Sequence, residues 1–218
     1  MSPSSSLAAR LARCYSGAVH DVLRAMGHDT IVLPPAIKPL DPAHRIAGPV
    51  WTVSGHVDRT LSRDATLRGW CELLARAPAG HVVVCQPHTH EIALMGELSA
   101  QTLAARGVLG YIVDGGARDT ELTLRQGFPV WCSFATPADI VGRWIADAFS
   151  TPIDIGGVSI ASGDYAIADR DGVVIIPADS VEEVATRTEA VVATENDMRR
   201  ALTGGMDPVA AYDRYGKF

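Results

Sequence analysis

The order of apolar and polar residues predicts a parallel α/β region in the middle of the chain. Residues 81–85, "HVVVC", form a β-branched run without alternation, which is typical of a strand buried on both faces. The helical sequence "MGELSAQTLAARG" follows, and "VLGYIVD" indicates a second strand. Residues 81–133 therefore predict strand, helix, strand, short helix and strand, an order that favours parallel pairing with right-handed crossovers.

The residues before this region predict two helices, a strand and a third helix. The helices cover residues 6–14 and 16–27, and Ser16 is a candidate N-cap for the second. A strand over residues 50–57 and a helix over residues 66–76 then lead into the parallel region.

The residues after Pro137 predict short strands, with a hairpin at the dipeptide Asp171-Gly172. One long helix follows over residues 180–203, where Ser180 and Glu183 have the spacing of a capping box. This helix has no predicted partner of its own, so we expect it to pack on a neighbouring subunit. We interpret the whole chain, residues 1–218, as a single α/β domain.

Composition narrows the classes of function. The 218 residues carry a net charge of −6 without a run of Lys or Arg, which argues against a nucleic-acid or membrane partner. No apolar run approaches the roughly 20 residues that span a bilayer, and the N-terminus lacks a secretory pattern. The cysteines form no CxxC pair, so we expect buried free thiols and a cytoplasmic protein. They are Cys14, Cys71, Cys85 and Cys132.

The loop in "GYIVDGGARDTELTLRQG" is the first candidate site, because ligands bind at the carboxyl ends of parallel strands. Arg118 offers a planar charged fork to a carboxylate or carbonyl oxygen, and Asp119 offers a hard oxygen ligand to Mg²⁺ or Mn²⁺. We expect the two side chains to point in different directions rather than neutralise each other. The alternative is that Asp119 caps the following helix and Arg118 is a solvated loop residue; residue chemistry alone leaves both open.

The loop before "GELSAQTLAARG" is the second candidate. Gly96 precedes a helix whose first N–H groups, at Glu97, Leu98 and Ser99, lack intrahelical partners and could bind a substrate carboxylate. The alternative is a plain helix start, at which an acidic residue is also favourable.

Other motifs favour no further chemistry. His88 and His90 in "PHTHE" suggest a metal cluster, but no third histidine has zinc-site spacing, which favours polar loop residues near a pocket. The chain has no GxSxG, GxGxxG or P-loop motif, so the sequence supports neither a serine nucleophile nor a nucleotide cofactor.

Several segments together resemble one family. "GELSAQTLAARGVLGYIVDGGARD" followed by "LRQGFPVW" resembles the RraA-like superfamily, and above all its class II pyruvate aldolases, typified by 4-hydroxy-4-methyl-2-oxoglutarate aldolase. "SGAVHDVLRAMG" and "GDYAIADRDGVVIIP" extend the resemblance to about residues 15–203. It implies an αββα sandwich with a swivelling-domain-like mixed β layer, an outlying C-terminal helix, and homotrimers or homohexamers with sites between subunits.

The resemblance also implies roles for the candidate residues. Asp119 would bind Mg²⁺ or Mn²⁺ directly, and Glu97 would contact the metal through water. Arg118 would bind the pyruvyl oxygens. The turn at Gly96 would bind the substrate carboxylate through the amides that follow it, those of Leu98 and Ser99.

A neighbouring subunit would complete this site. The family uses an acid from the C-terminal helix, and Glu195, acting through water, is the best match in this chain. Glu189 is the alternative, because the helix has no gap-free anchor to the family pattern.

The implied reaction is metal-dependent retro-aldol cleavage of a 4-hydroxy-2-oxo acid to pyruvate, with oxaloacetate decarboxylation through the same enolate. One alternative is a non-enzymatic RraA-type regulator that binds an RNA-degrading endonuclease, although such proteins lack most of the C-terminal helix and the acid at Glu97. Another is a related enzyme acting on a different 2-oxo acid. Residues 134–152 depart from the family pattern, which leaves the choice of substrate open.

Overall fold

The computed structural model describes residues 3–217, with side chains from residue 7 onward. The helices are α1 (Pro3–Leu11), α2 (Ser16–Ala25), α3 (Arg63–Arg76), α4 (Glu97–Ala105), α5 (Thr120–Gln126), α6 (Val181–Thr203) and α7 (Pro208–Tyr215). The strands are β1 (Lys38–Pro39), β2 (Ile46–Val57), β3 (Val82–Gln86), β4 (Gly110–Val113), β5 (Gly116–Ala117), β6 (Val130–Cys132), β7 (Phe134–Ala135), β8 (Trp144–Phe149), β9 (Ile153–Ile155), β10 (Val158–Ile160), β11 (Tyr165–Ala168) and β12 (Val173–Ile176).

The main sheet is mixed and curls around its longest strand. β2, β3, β4 and β6 run parallel in that order, which confirms the predicted strand–helix succession. The other edge of β2 is shared, because β11 pairs antiparallel with its first half and β8 with its second half. β12 extends the sheet beyond β11, and the turn between them lies at Asp171-Gly172, as predicted. The predicted α/β fold with a mixed β layer is confirmed.

Both faces of the parallel strands are buried, which explains why their sequences do not alternate. On one face, Val83 and Tyr111 join a core with the buried side chains of α3 and α4. On the other face, Val82, Ile112 and Trp131 join a core with the antiparallel hairpin β9–β10. The loops at the carboxyl ends of these strands are therefore carried by a scaffold that is packed from two sides.

The C-terminal helix packs on its own chain, whereas no packing partner for it within the chain was predicted from the sequence. Val184, Ala185 and Thr188 of α6 are buried, and the first two join a core that includes Val19 and Leu23 of α2. The expectation was wrong because the sequence contains no clear sign of this contact: the buried stripe of α6 is narrow and interrupted by charged residues. A further contact of α6 with a neighbouring subunit remains a prediction.

The ends of two helices also differ from the sequence predictions. Ser16 is the first residue of α2 rather than its N-cap, because its N–H and its hydroxyl both donate to the buried carboxylate of Asp169, each at 2.8 Å. The capping box at α6 does not form, since the Ser180 hydroxyl donates to Asp179 and Glu183 pairs with Arg187.

We expect Asp169→Ala to lower the free energy of unfolding by about 3 kcal/mol, because it leaves the buried Ser16 donors without an acceptor. Urea denaturation measures this value. The control is Asp179→Ala, which removes an exposed carboxylate that, among the side chains that the structure describes, accepts from the neighbouring Ser180 hydroxyl alone. It should change the value by less than about 0.5 kcal/mol. Equal losses in the two variants would contradict the assigned role of Asp169.

The prediction of buried cysteines has a mixed outcome. Three of the cysteines are buried as expected, but Cys71 lies on the exposed side of α3. Within residues 3–217, no helix combines the length and the apolarity needed to cross a membrane.

Candidate active site at the ends of the parallel strands

Three loops that follow β3, β4 and β6 are joined by backbone hydrogen bonds. The donor–acceptor pairs are Ala93 N to Ala138 O (2.8 Å), Leu94 N to Gly116 O (2.8 Å), Arg118 N to Met95 O (2.8 Å) and Thr136 N to Ala117 O (2.9 Å). β5 and β7 add a short parallel ladder between the second and third loops. The two loops that the sequence singled out are thus held side by side, and the third loop lies against them.

Gly96 brings the first two loops into direct contact. A Cβ built on this residue would lie 2.9 Å from Oδ2 of Asp119 and 3.1 Å from Cγ of Arg118. Gly96 has an extended backbone, with φ −142° and ψ 178°. Glycine is therefore favoured here because it leaves space for these two side chains, rather than for its conformational freedom.

Asp119 has a backbone conformation that differs from that of an ordinary helix cap. It precedes α5 with φ 51° and ψ 36°, in the left-handed region that non-glycine residues rarely adopt. Its side chain accepts no capping hydrogen bond. Asp119 does occupy the N-cap position of α5, as the alternative interpretation predicted. Its carboxylate, however, does not bond to the free N–H groups of that helix.

Arg118 contacts two carboxylates, which corrects the expectation that it would point away from Asp119. Nε donates to Oδ2 of Asp119 at 3.2 Å, and Nη1 lies 3.4 Å from Oδ2 of Asp139. The left-handed turn at Asp119 directs its carboxylate back toward the preceding residue, which explains the difference. The three side chains are 37–41% exposed. These pairs therefore orient Arg118 more than they stabilise the fold.

The start of α4 presents free donors beside this pair. The Ala100 N–H makes the first hydrogen bond of the helix, to Gly96 O at 3.0 Å, so the N–H groups of the preceding residues lack intrahelical acceptors. The Ser99 hydroxyl accepts from Trp70 Nε1 at 2.9 Å, which fixes the orientation of this side chain. Oε1 of Glu97 accepts from Gln126 Nε2 at 2.8 Å.

A depression of about 340 Å³ opens beside Arg118 and Asp119. Its lining residues are Ala117, Arg118, Asp119, Thr120, Ala135, Thr136 and Pro137. The volume suits a small ligand, and the lining combines one charged pair with methyl and methylene groups.

The donors at this site fit a hard divalent cation that retains much of its water. Oδ2 of Asp119 faces Arg118, and Oδ1 makes no hydrogen bond with the described residues. Within residues 3–217, no three His, Cys, Asp or Glu side chains come together as ligands. One or two carboxylates with several waters is the coordination that Mg²⁺ adopts in proteins.

The histidines of "PHTHE" form no metal cluster. Nε2 of His90 lies 2.9 Å from Oδ1 of Asp114, which also accepts from the Ser133 hydroxyl at 3.3 Å. His88 has a left-handed backbone, and its N–H donates to Gln86 Oε1 at 3.1 Å. The interpretation of His88 and His90 as polar loop residues near a pocket stays a prediction.

The two candidate acids of the C-terminal helix contact other parts of the chain. Glu195 accepts from the Tyr15 hydroxyl and from Lys217 Nζ (3.0 Å), while Glu189 pairs with Arg10 Nη2 at 2.7 Å. Burial opposes ionisation of Glu195, but the two donors outweigh it and lower its pKa. Burial and the same hydrogen bond raise the pKa of Tyr15 to about 12. Neither acid contacts Arg118 or Asp119 within the chain, so a role for either requires a neighbouring subunit.

Two polar residues near the site were not predicted from the sequence. Asp139 contacts Arg118, and Gln126 fixes Glu97. Each depends on a contact between loops or helices that are far apart in sequence. The one available sign for Asp139 was its turn-forming context, "TPAD", in the third strand-end loop.

Comparison with known proteins identifies two relatives. The DlpA protein of Legionella pneumophila subsp. pneumophila is 28% identical over 211 residues, covering 96% of this chain but 34% of DlpA. This chain thus spans about a third of the length of that relative. A putative 4-hydroxy-4-methyl-2-oxoglutarate aldolase of Halalkalibacterium halodurans is 28% identical over 176 residues, covering 81% of this chain and 80% of the relative.

Solved structures and a family model extend this likeness. The crystal structure of Streptomyces coelicolor RraAS2, described as an unusual member of the RNase ES inhibitor RraA family, has a TM-score of 0.79 at 25% identity and covers 91% of this chain and 98% of that one. A structure described among novel cellulases from gut-associated microbes has a TM-score of 0.83 at 30% identity, covering 90% and 89%. The RraA-like model, Aldolase/RraA, matches residues 16–175. This chain therefore belongs to the RraA-like (Aldolase/RraA) family.

Proposed function

We propose that this protein is a divalent-metal-dependent pyruvate aldolase that cleaves a 4-hydroxy-2-oxo acid to pyruvate. The observation that carries the proposal is the contact of Gly96 with Arg118 and Asp119, because it brings the free amides at the start of α4 close to a guanidinium and a carboxylate that line a small depression. The likeness to the H. halodurans protein, named as a putative aldolase, supports the same reaction.

Different residues bind different groups of the substrate. The free N–H groups at the start of α4 bind the substrate carboxylate, which the positive end of the helix dipole also favours. Nη2 of Arg118 donates to the 2-oxo oxygen, where negative charge develops as the C3–C4 bond breaks. The electron pair of that bond then forms the pyruvate enolate, and the 4-hydroxyl carbon becomes a carbonyl.

Asp119 and Glu97 complete the proposed chemistry. When Mg²⁺ or Mn²⁺ is bound at Asp119, it supplies a Lewis acid for the developing charge. Glu97 is fixed through Oε1 by Gln126, and its other oxygen is available to hold a water that accepts the proton of the 4-hydroxyl and returns it to C3 of the enolate, which gives pyruvate. Oxaloacetate decarboxylation passes through the same enolate and is expected as a second activity.

The test is pyruvate release from three acids: 4-hydroxy-4-methyl-2-oxoglutarate, 4-carboxy-4-hydroxy-2-oxoadipate and oxaloacetate. Each acid is assayed with Mg²⁺, with Mn²⁺ and with EDTA. We expect release with either metal and none with EDTA. Absence of pyruvate from all three acids, together with tight binding to an RNA-degrading endonuclease, would instead support the regulator that the likeness to RraAS2 suggests.

A shared site between subunits should show complementation. We propose that Glu195 of one subunit, through water, completes the metal site of the next, so Arg118→Ala and Glu195→Ala are each expected to be inactive. Subunits mixed in equal amounts should recover about a quarter of the wild-type activity, since random assortment gives that share of sites with both residues intact. Mixing Arg118→Ala with Asp119→Ala is the control, because both changes affect the same half of the site. No recovery in the first mixture would count against Glu195, and Glu189 would be tested next.

A further inference from the structure

Two tryptophans hold the segment that leads into α4 at both of its ends. Trp144 is fully buried, and its Nε1 donates to the carbonyl oxygen of Pro87, directly after β3, at 2.9 Å. Trp70 of α3 donates through Nε1 to the Ser99 hydroxyl, in the first turn of α4, at 2.9 Å. The two indole rings meet edge to face, with centroids 6.1 Å apart and planes at 69°. One aromatic pair therefore fixes the loop that contains Gly96 at its start and just beyond its end.

The core holds this aromatic pair in place. A Cβ built on Gly55 would lie 2.2 Å from a carbon of the Trp144 ring, so the ring rests directly on the backbone of β2. Trp70 packs against the same core from α3. The position of the Trp70 N–H is thus set by packing on several sides, which makes it a firm support for a functional side chain.

The Ser99 hydroxyl keeps its own proton for another partner. A hydroxyl carries one proton and two lone pairs, whereas an indole N–H can only donate. The bond from Trp70 therefore occupies a lone pair of Ser99 and directs the hydroxyl proton away from the indole. Within the part of the chain that the structure describes, this proton has no acceptor. Ser99 is thus an oriented donor that awaits an acceptor from outside the chain.

This donor lies at the end of α4 that also presents free amides. Helix side chains tilt toward the N-terminus of their helix, and Ser99 is the third residue of α4. The Ser99 N–H is itself one of the groups without an intrahelical acceptor, because the first helical bond is that of Ala100. A negatively charged oxygen is the acceptor that the helix dipole favours at this end. The hydroxyl therefore adds a side-chain donor to the backbone donors for a carboxylate.

We propose, building on the aldolase function above, that Trp70 positions Ser99 so that its hydroxyl donates to the substrate carboxylate beside the free amides of α4. Ser99 is then a binding residue, and Trp70 acts through it. Every 2-oxo acid carries this carboxylate, and the bond is the same in the ground state and in the transition state. Trp70 therefore lowers KM for all substrates of the site and leaves kcat unchanged.

The test is calorimetric titration of the Mg²⁺-loaded full chain with pyruvate. Trp70→Phe keeps an aromatic ring but removes the N–H, and Ser99→Ala removes the hydroxyl. We expect Ser99→Ala to weaken pyruvate binding about tenfold and Trp70→Phe about fivefold, the range for loss of one hydrogen bond or of its orientation. The double variant should bind as Ser99→Ala does, because Trp70 acts only through the hydroxyl. Steady-state kinetics should show the same losses in KM at unchanged kcat.

Trp51→Phe is the matched control, because Trp51 Nε1 donates to the Ser150 hydroxyl at the same distance of 2.9 Å. Trp51 pairs with Val83 near the start of β3, at the opposite end from the strand-end loops. Its loss should lower the free energy of unfolding as Trp70→Phe does, while pyruvate binding stays unchanged.

Three results would overturn the role of Trp70 while leaving the aldolase function intact. They are wild-type pyruvate binding in Trp70→Phe, equal weakening in Trp51→Phe, and additive losses in the double variant. A fall in kcat at unchanged KM in Trp70→Phe would also contradict it. Failure of wild type to bind pyruvate would instead overturn the proposed 2-oxo acid site itself, and the role of Trp70 with it.

Discussion

Asp119→Asn is expected to abolish metal-dependent pyruvate release, with a loss of at least about 10³-fold, while the protein stays folded. Asparagine tolerates the left-handed backbone of this position as well as aspartate does, so the turn into α5 should persist. The change removes the charge that makes the carboxylate a ligand for a hard cation. Pyruvate release over a range of Mg²⁺ concentrations, with calorimetric metal titration, measures both effects.

The stability of the same variant provides the control. The Asp119 side chain makes no capping hydrogen bond and is 38% exposed, so its free energy of unfolding should lie within about 1 kcal/mol of wild type. Asp64→Asn, which removes one negative charge from an exposed position on α3, should retain both metal binding and activity. Activity that survives in Asp119→Asn would show that the metal, if required, binds elsewhere.

Gly96→Ala is expected to reduce kcat/KM by about tenfold, because both side chains must move by a fraction of an ångström and catalysis is sensitive to displacements on the order of 1 Å. The added Cβ would lie 2.9 Å from Oδ2 of Asp119 and 3.1 Å from Cγ of Arg118, so both side chains must shift. The change affects the approach of the two loops without removing any functional group. Steady-state kinetics with saturating Mg²⁺ measures the loss.

Gly69→Ala is the matched control for this variant. Its Cβ would meet only the side chain of Ile145, at 3.4 Å, and the residue lies within α3. Activity should be unchanged, and the fold should be as stable or slightly more so, since alanine is the better helix former. If Gly96→Ala retained full activity, the close approach of the two loops would not be needed for catalysis.

The sequence predicted the parts of the site that depend on local chemistry. A glycine before a helix predicts free amides, and two glycines followed by charged residues after an apolar strand predict a loop that presents them. Gly96 and Asp119 can therefore each be recognised from local sequence as candidate site residues. The succession of strands and helices then predicts that their loops lie side by side. The left-handed backbone of Asp119 was not predicted, because only the surrounding hydrogen bonds impose it.

The remaining contacts depend on pairing between distant segments. Asp139 reaches Arg118 only because β7 lies beside β5, and a two-residue strand has no recognisable period in sequence. The packing of α6 on α2 was missed for a related reason, since its buried positions are too few to produce a clear apolar stripe. Both cases show that tertiary contacts can override a weak local pattern.

The central claim is that the Gly96 turn and the Arg118-Asp119 pair form one site for a metal and a 2-oxo acid. The most direct measurement is a crystal structure of the protein with Mn²⁺ and pyruvate, in which anomalous scattering locates the metal. We predict that Mn²⁺ is coordinated by an oxygen of Asp119, that the pyruvate carboxylate lies on the amides at the start of α4, and that Nη2 of Arg118 contacts the 2-oxo oxygen. A metal bound away from Asp119, or pyruvate bound away from α4, would contradict the claim.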